Sequence, residues 1–175
     1  MSRHYEGDAI AQKIVGGDFS GNLPLSSGTY ALLLVLPQNV QLRIGALGEY
    51  HFSAGWYVYV GSALGPGGLA ARVGRHIGVT GRSHWHIDYL TRLAATVQVI
   101  WHMGEERLEC SWAQSVGRCR GAKLVVARFG ASDCRCNTHL WAFSERPDLV
   151  QLPLEGRLAL FGLAAASTWS EVGRR

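Results

Sequence analysis

Gly28-Thr29-Tyr30-Ala31-Leu32-Leu33-Leu34-Val35-Leu36-Pro37 is the stretch on which the rest of the chain turns. Residues 29–36 are a short, β-compatible apolar run closed by a proline, which reads as a buried strand. Gln38 and Asn39 turn the chain. Val40, Leu42 and Ile44 then alternate with Gln41, Arg43 and Gly45, the period-2 pattern of a half-buried strand paired back as a hairpin. Residues 56–61, Trp-Tyr-Val-Tyr-Val-Gly, predict a third strand from their β-branched and aromatic content. A Gly/Pro-rich loop over 64–68 leads into a helix over 69–77. That helix places Arg72 and His76 one turn apart on one face.

Further along, residues 84–93 fit strand or helix, with helix favoured. Residues 96–101 predict a strand. Residues 105–116 predict a helix with Leu108, Trp112 and Val116 as its apolar stripe. Residues 129–138 are a loop dense in Gly, Ser, Asp and Cys, and Leu140–Phe143 is a short edge strand. A terminal helix is expected over 154–166. Interleaved but irregular strands and helices give an α+β class, a small, mainly antiparallel sheet flanked by helices. Residues 1–27, broken by Gly16-Gly17 and Gly21-Asn22, read as a loosely ordered extension. Residues 28–143 form the domain, and 144–175 a C-terminal helix and tail packed on or beside it.

A chain of 175 residues is enough for one domain, and 47% apolar with 17% charged residues excludes wholesale disorder. No run approaches the length needed to cross a bilayer, so no membrane association is expected. The first residues carry His, Glu and Asp where an export signal would be apolar. The 4 cysteines are therefore expected to be reduced thiols in a cytoplasm. The net charge of +4 decides little, but its distribution says more. Residues 50–87 hold no carboxylate, yet carry Arg72, Arg75, Arg82 and four histidines. Residues 110–132 again hold none, and carry Arg118, Arg120, Lys123 and Arg128. Arginine's planar fork suits bidentate contact with phosphate.

Tyr30 opens the first strand, Tyr59 closes the third, and Arg72 and His76 follow on a helix. Glu109 lies on a later one. These are parts for phosphodiester cleavage. A phenol near an arginine can lose its proton and act as a base. An arginine can hold the scissile phosphate. A carboxylate can hold Mg²⁺, or Mn²⁺ in its place. A histidine can orient water or assist the leaving oxygen.

The same residues resemble the GIY-YIG nuclease superfamily, and within it the small Uri branch. The matching stretches are Gly28-Thr29-Tyr30, residues 57–63 (YVYVGSA), Ala71-Arg72 with His76, residues 84–90 (HWHIDYL), Glu109-Cys110 and residues 130–140 (GASDCRCNTHL). The resemblance covers residues 28–143 and implies a three-stranded antiparallel sheet with helices around it. It implies that Tyr30 and Tyr59 activate and position water. Arg72 would contact the scissile phosphate, His76 assist, and Glu109 bind the metal. Gly61, Ser62, Arg75, Arg82, His84 and His86 complete the substrate surface. The chain departs from the pattern in three ways. Tyr30 and Tyr59 lie 29 positions apart where most of the superfamily has about ten, and the strand over 40–44 fills the gap. Thr29 and Val60 replace two isoleucines, each with another β-branched residue. Asn137 is the nearby candidate for the family's late asparagine.

Three other readings stay open. The chain is a non-catalytic nucleic-acid-binding module on the same scaffold, serving a repair enzyme. Or it is a metal nuclease centred on His84 and His86, which share a face on a strand but diverge by about 200° on a helix. Or Cys134, Cys136 and His139, with Asp133 beside them, form a second metal or structural zinc site, its fourth ligand drawn from His84 or His86. The Cys-x-Cys spacing is tighter than in compact zinc sites, so that block reads first as a structured loop near the active site. The leading expectation is a Mg²⁺-dependent endonuclease that acts on DNA rather than RNA, guided by structure or weakly by sequence, in DNA repair.

Overall fold

The computed structural model describes residues 23–78, 82–152, 154 and 159–162. Most of the expected N-terminal extension and C-terminal tail therefore lies outside the described residues. The strands are β1 (Gly28–Leu36), β2 (Val40–Ile44), β3 (Gly48–Phe52), β4 (Gly55–Ala63), β5 (Ala95–Met103), β6 (Lys123–Leu124), β7 (Leu140–Phe143) and β8 (Ala159–Gly162). The α-helices are α1 (Gly68–Ile77), α2 (His86–Thr91) and α3 (Glu109–Gly117). The class is α+β, as the sequence predicts. A six-stranded antiparallel sheet runs in the order β6-β7-β4-β1-β5-β8, and β2 and β3 pair as a separate ribbon.

β1 is central, paired with β4 on one side and β5 on the other. Its run is apolar throughout because both faces are buried. Leu32, Leu34 and Leu36 meet Leu69 and Val73 of α1 and Ile87 and Leu90 of α2. Ala31 and Leu33 face the other way, toward Trp112, Ala113 and Val116 of α3. Tyr30 and Tyr59 share the α1 face, since Tyr30 pairs with Gly61 and Leu32 with Tyr59.

Four expectations need correction. β2 pairs with β3, not with β1. The alternation was read correctly, but β4 and β5 occupy both edges of β1. The third helix begins at Glu109 rather than residue 105, because residues 104–108 form an irregular turn with Leu108 N–H donating to the Glu106 carbonyl. The stripe residues Trp112 and Val116 are buried as expected. β7 is flanked by the two-residue β6 and so is not the edge. Within the expected terminal helix, residues 159–162 are a strand that covers the open edge of β5. Sheet pairing there overrides the helix preference of Ala and Leu. The remainder of that span, apart from Leu154, lies outside the described residues.

No helix among the described residues is long and apolar enough to cross a membrane.

Candidate active site

Three elements bring a tyrosine, a histidine and an aspartate into one buried chain. The phenol of Tyr30 lies 2.8 Å from His76 Nε2, and His76 Nδ1 lies 2.7 Å from Asp88 Oδ1. Tyr30 and His76 are each 1% exposed and Asp88 0%. Asp88 Oδ2 also accepts the backbone N–H of His84 at 2.8 Å and of Trp85 at 3.0 Å. Asp88 is the third residue of α2, so one carboxylate both caps that helix and holds the imidazole. Arg75 Nε approaches it at 3.8 Å from an exposed side chain.

Burial alone would raise the Asp88 carboxyl. The hydrogen bonds from His76 and from the Trp85 and His84 backbone outweigh burial and hold it at about 2. An ionised carboxylate only accepts, so His76 Nδ1 must carry the proton. Burial pushes His76 below its ordinary value, with Arg72 and Arg75 adding to the push against the pull of Asp88. The imidazole is therefore neutral at pH 7, and its Nε2 lone pair accepts from the Tyr30 hydroxyl. Burial first, then the charges of Tyr59, Asp88 and Glu109, push the Tyr30 phenol well above 10 despite Arg72. An arginine alone does not free this proton, contrary to the simplest sequence-based expectation. His76 is the acceptor placed to take it.

Tyr59 completes the cluster, its ring centroid 6.3 Å from that of Tyr30 and 6.3 Å edge-on to His76. The long insertion between the two tyrosines thus leaves them together. Gly61 is what lets them meet. A Cβ there would sit 2.5 Å from Tyr30 Oη and 3.1 Å from Tyr59 Cε1.

Beside the relay, Arg72 lies 4.1 Å and Arg75 4.7 Å from the centre of the Trp85 ring, so one indole supports both guanidinium groups. Trp85 also stands edge-on to His76 at 5.6 Å. Glu109, at the start of α3, is half-buried, and its Oε2 is buried with no hydrogen-bond partner. Its charge bears on Tyr30, Tyr59 and His139. An orphaned carboxylate oxygen whose charge reaches two phenols is a donor suited to a hard cation.

A second cluster adjoins the first. The ligand atoms of Cys110, Cys134, Cys136 and His139 all lie within 4.8 Å of one another, and all four cysteines of the chain are free thiols. Cys134 Sγ is 3.4 Å and Cys110 Sγ 4.0 Å from His139 Nε2. Three thiols and an imidazole can hold a metal, and this soft donor set suits zinc rather than Mg²⁺. Burial and the neighbouring thiols of Cys136 and Cys134 push Cys110 up to about 12.

Of the residues singled out from sequence, Tyr30, Tyr59, Arg72, His76 and Glu109 converge, with Gly61 inside and Arg75 at the rim. Ser62 is half-buried on β4, while Arg82 is exposed and meets Arg75 only through its backbone carbonyl at 3.5 Å. His84 is exposed and stacks edge-on on Trp85. His86 starts α2, and its Nδ1 accepts the Gly130 N–H at 3.0 Å. The two therefore belong to a helix entry and are not part of the metal-ligating group found among the described residues. The fourth partner of Cys134, Cys136 and His139 is Cys110, not His84 or His86. Asp133 and Asn137 are exposed. Sequence reasoning also missed Asp88 as His76's partner. Its signal was present in the HWHIDYL block, where Asp88 stands at a helix N3 position.

A family model described as "Domain of unknown function DUF123" matches residues 29–156. No curated protein and no solved structure matches the chain.

Proposed function

The chain belongs to the DUF123 family, and we propose that its activity is metal-dependent hydrolysis of phosphodiester bonds in DNA. The observation that carries this reading is the buried Tyr30–His76–Asp88 relay, whose phenol lies within the electrostatic influence of Arg72 and Glu109. Water bound against Tyr30 gives up a proton to the phenol oxygen while the phenol's own proton passes to His76 Nε2. The resulting hydroxide attacks phosphorus, and the leaving oxygen departs with the bonding pair. Asp88 stabilises the imidazolium that forms. Arg72, half-buried against Trp85, holds the phosphate and the charge growing on it. Tyr59 walls the water's position, and Arg75 is placed to take a flanking phosphate. Glu109 would hold Mg²⁺ or Mn²⁺ through its unpartnered oxygen, and such an ion supplies positive charge to the transferring group. A site this small has few groups free to read bases, which favours cutting by DNA structure over sequence, as a repair role would require.

The test is incubation of the full chain with labelled single- and double-stranded DNA in Mg²⁺ or Mn²⁺. Cleavage is expected, reduced by about 10²–10⁴-fold in Tyr30→Phe and lost in Glu109→Gln. Salt-sensitive binding without cleavage under either metal would establish the binding module instead. Cleavage that survives both substitutions would remove the mechanism.

A further inference from the structure

We propose that Cys110, Cys134, Cys136 and His139 form a closed structural zinc site whose task is to hold Glu109 and Tyr59 in place. The second half of this statement rests on the nuclease reading, whereas the metal site does not.

The four donors come from two separate parts of the chain. Cys110 lies in the first turn of α3, and the other three lie in the loop before β7. Zinc bonds of about 2.0–2.3 Å at tetrahedral angles place neighbouring donors about 3.5–3.8 Å apart. The two distances from His139 Nε2 to sulfur, 3.4 and 4.0 Å, bracket that range. Loading replaces three thiol protons with one divalent cation, leaving the site at a formal −1. Arg128 Nη1 donates to the Cys136 carbonyl at 2.9 Å, so a guanidinium stands close by to offset that charge. Four protein donors fill a tetrahedron and leave no position for substrate, so the site is structural.

Backbone contacts tie this cluster to the tyrosines. The His139 carbonyl accepts the N–H of Val60, the residue after Tyr59, at 2.9 Å. The His139 N–H donates to Phe129 at 2.7 Å, and the Phe129 ring stands edge-on to Tyr59 at 6.0 Å. Gly130, at φ 70°, lies so close that a Cβ would be 3.0 Å from both Tyr59 and His139. Glu109 is the residue directly before Cys110. Its Oε2 has no hydrogen bond to orient it, so the covalent tether to a metal-fixed neighbour bears on where that oxygen sits.

The full chain, produced in zinc-supplemented medium and purified without chelator, is expected to carry one zinc per chain by elemental analysis. Cys110→Ser and Cys136→Ser should lose at least about 90% of it. Cys119→Ser should keep it, because Cys119 lies outside the cluster and donates to the Ser115 carbonyl. Replacement by Co²⁺ in the unmodified protein should give the visible spectrum of a tetrahedral thiolate site, which keeps the test decisive if a serine variant does not fold. Absent or substoichiometric zinc, zinc retained by both variants, or a native disulfide among these cysteines would overturn the site. For positioning, zinc-stripped protein that keeps its circular dichroism should need at least about tenfold more Mg²⁺ for half-maximal cleavage, reversed by restoring zinc. An unchanged Mg²⁺ requirement would overturn positioning and leave the zinc site standing. Stoichiometric zinc with no cleavage would remove the nuclease reading and the positioning role together.

Discussion

Replacing Asp88 with Asn tests the relay with the smallest change of shape. Asp88 Oδ2 accepts two backbone N–H groups, and only the amide oxygen of Asn can take that place. The amide nitrogen then faces His76 Nδ1, where the carboxylate Oδ1 stood 2.7 Å away. Two donors cannot face each other, so His76 must move its proton to Nε2. That nitrogen can then no longer accept from Tyr30. A wrong imidazole tautomer costs about 10⁴-fold where a histidine serves as base, and a loss of that order is expected in cleavage. The stability change is set by the carboxyl's shift from 3.8 in the unfolded chain to about 2 in the fold. At neutral pH this is about 2 kcal/mol, or about 4–8 °C in Tm. The folded value is the lower one, so this contribution is fully present above pH 4 and fades as pH falls toward 2. The gap between wild type and variant should close over the same window. Thermal melts across pH 2–7, DNA cleavage at pH 7 and nitrogen NMR of the His76 tautomer check the three parts. A folded Asn variant with Nε2–H at His76 and wild-type cleavage would refute the relay.

Gly61→Ala should force the Tyr30 hydroxyl off His76, because the new Cβ falls 2.5 Å from Tyr30 Oη. The expected cost is about 1–3 kcal/mol by denaturant unfolding, with cleavage falling further than stability alone explains. His76 is held below its ordinary value chiefly by burial, so the acidic limb of the rate–pH profile should lie below pH 6.5. A limb at or above 6.5 would mean that another group serves as the base.

How far this arrangement could be read in advance depended on the range of each signal. β1 announces itself because it is apolar on both faces, and α1 because Arg72 and His76 recur one turn apart. Tyr30, Tyr59, Arg72, His76 and Glu109 were singled out by their residue types and by the family resemblance, despite the long gap between the two tyrosines. Asp88 was visible as an acid at the end of an acid-free stretch, yet its partner lies 12 residues away on another helix. Cys110 was hidden for the same reason, since it meets His139 across 29 residues. The pairing of β2 with β3 was missed because alternation fixes which face a strand buries without naming its neighbour. The strand at 159–162 was missed because its short apolar segment fits either periodicity, and only the open edge of β5 decides.

Two clusters of opposite chemistry therefore meet at one seam. The relay is buried and hydrogen-bonded from the Tyr30 hydroxyl through His76 to Asp88. Glu109 is its opposite, a half-buried side chain whose Oε2 is buried without a partner, which the fold tolerates at a cost. The two belong together because a proton can leave water at Tyr30 only if charge on the phosphate is compensated at the same time. In the proposed reaction Arg72 would supply a fixed part of that compensation, and Glu109 would leave room for a cation to supply the rest. A chain selected for stability alone would have no reason to keep Glu109 Oε2 buried without a partner. On the proposed reading the acid-free stretches on either side would serve the same end, because a further carboxylate there would compete with Glu109 for the cation and repel the phosphates.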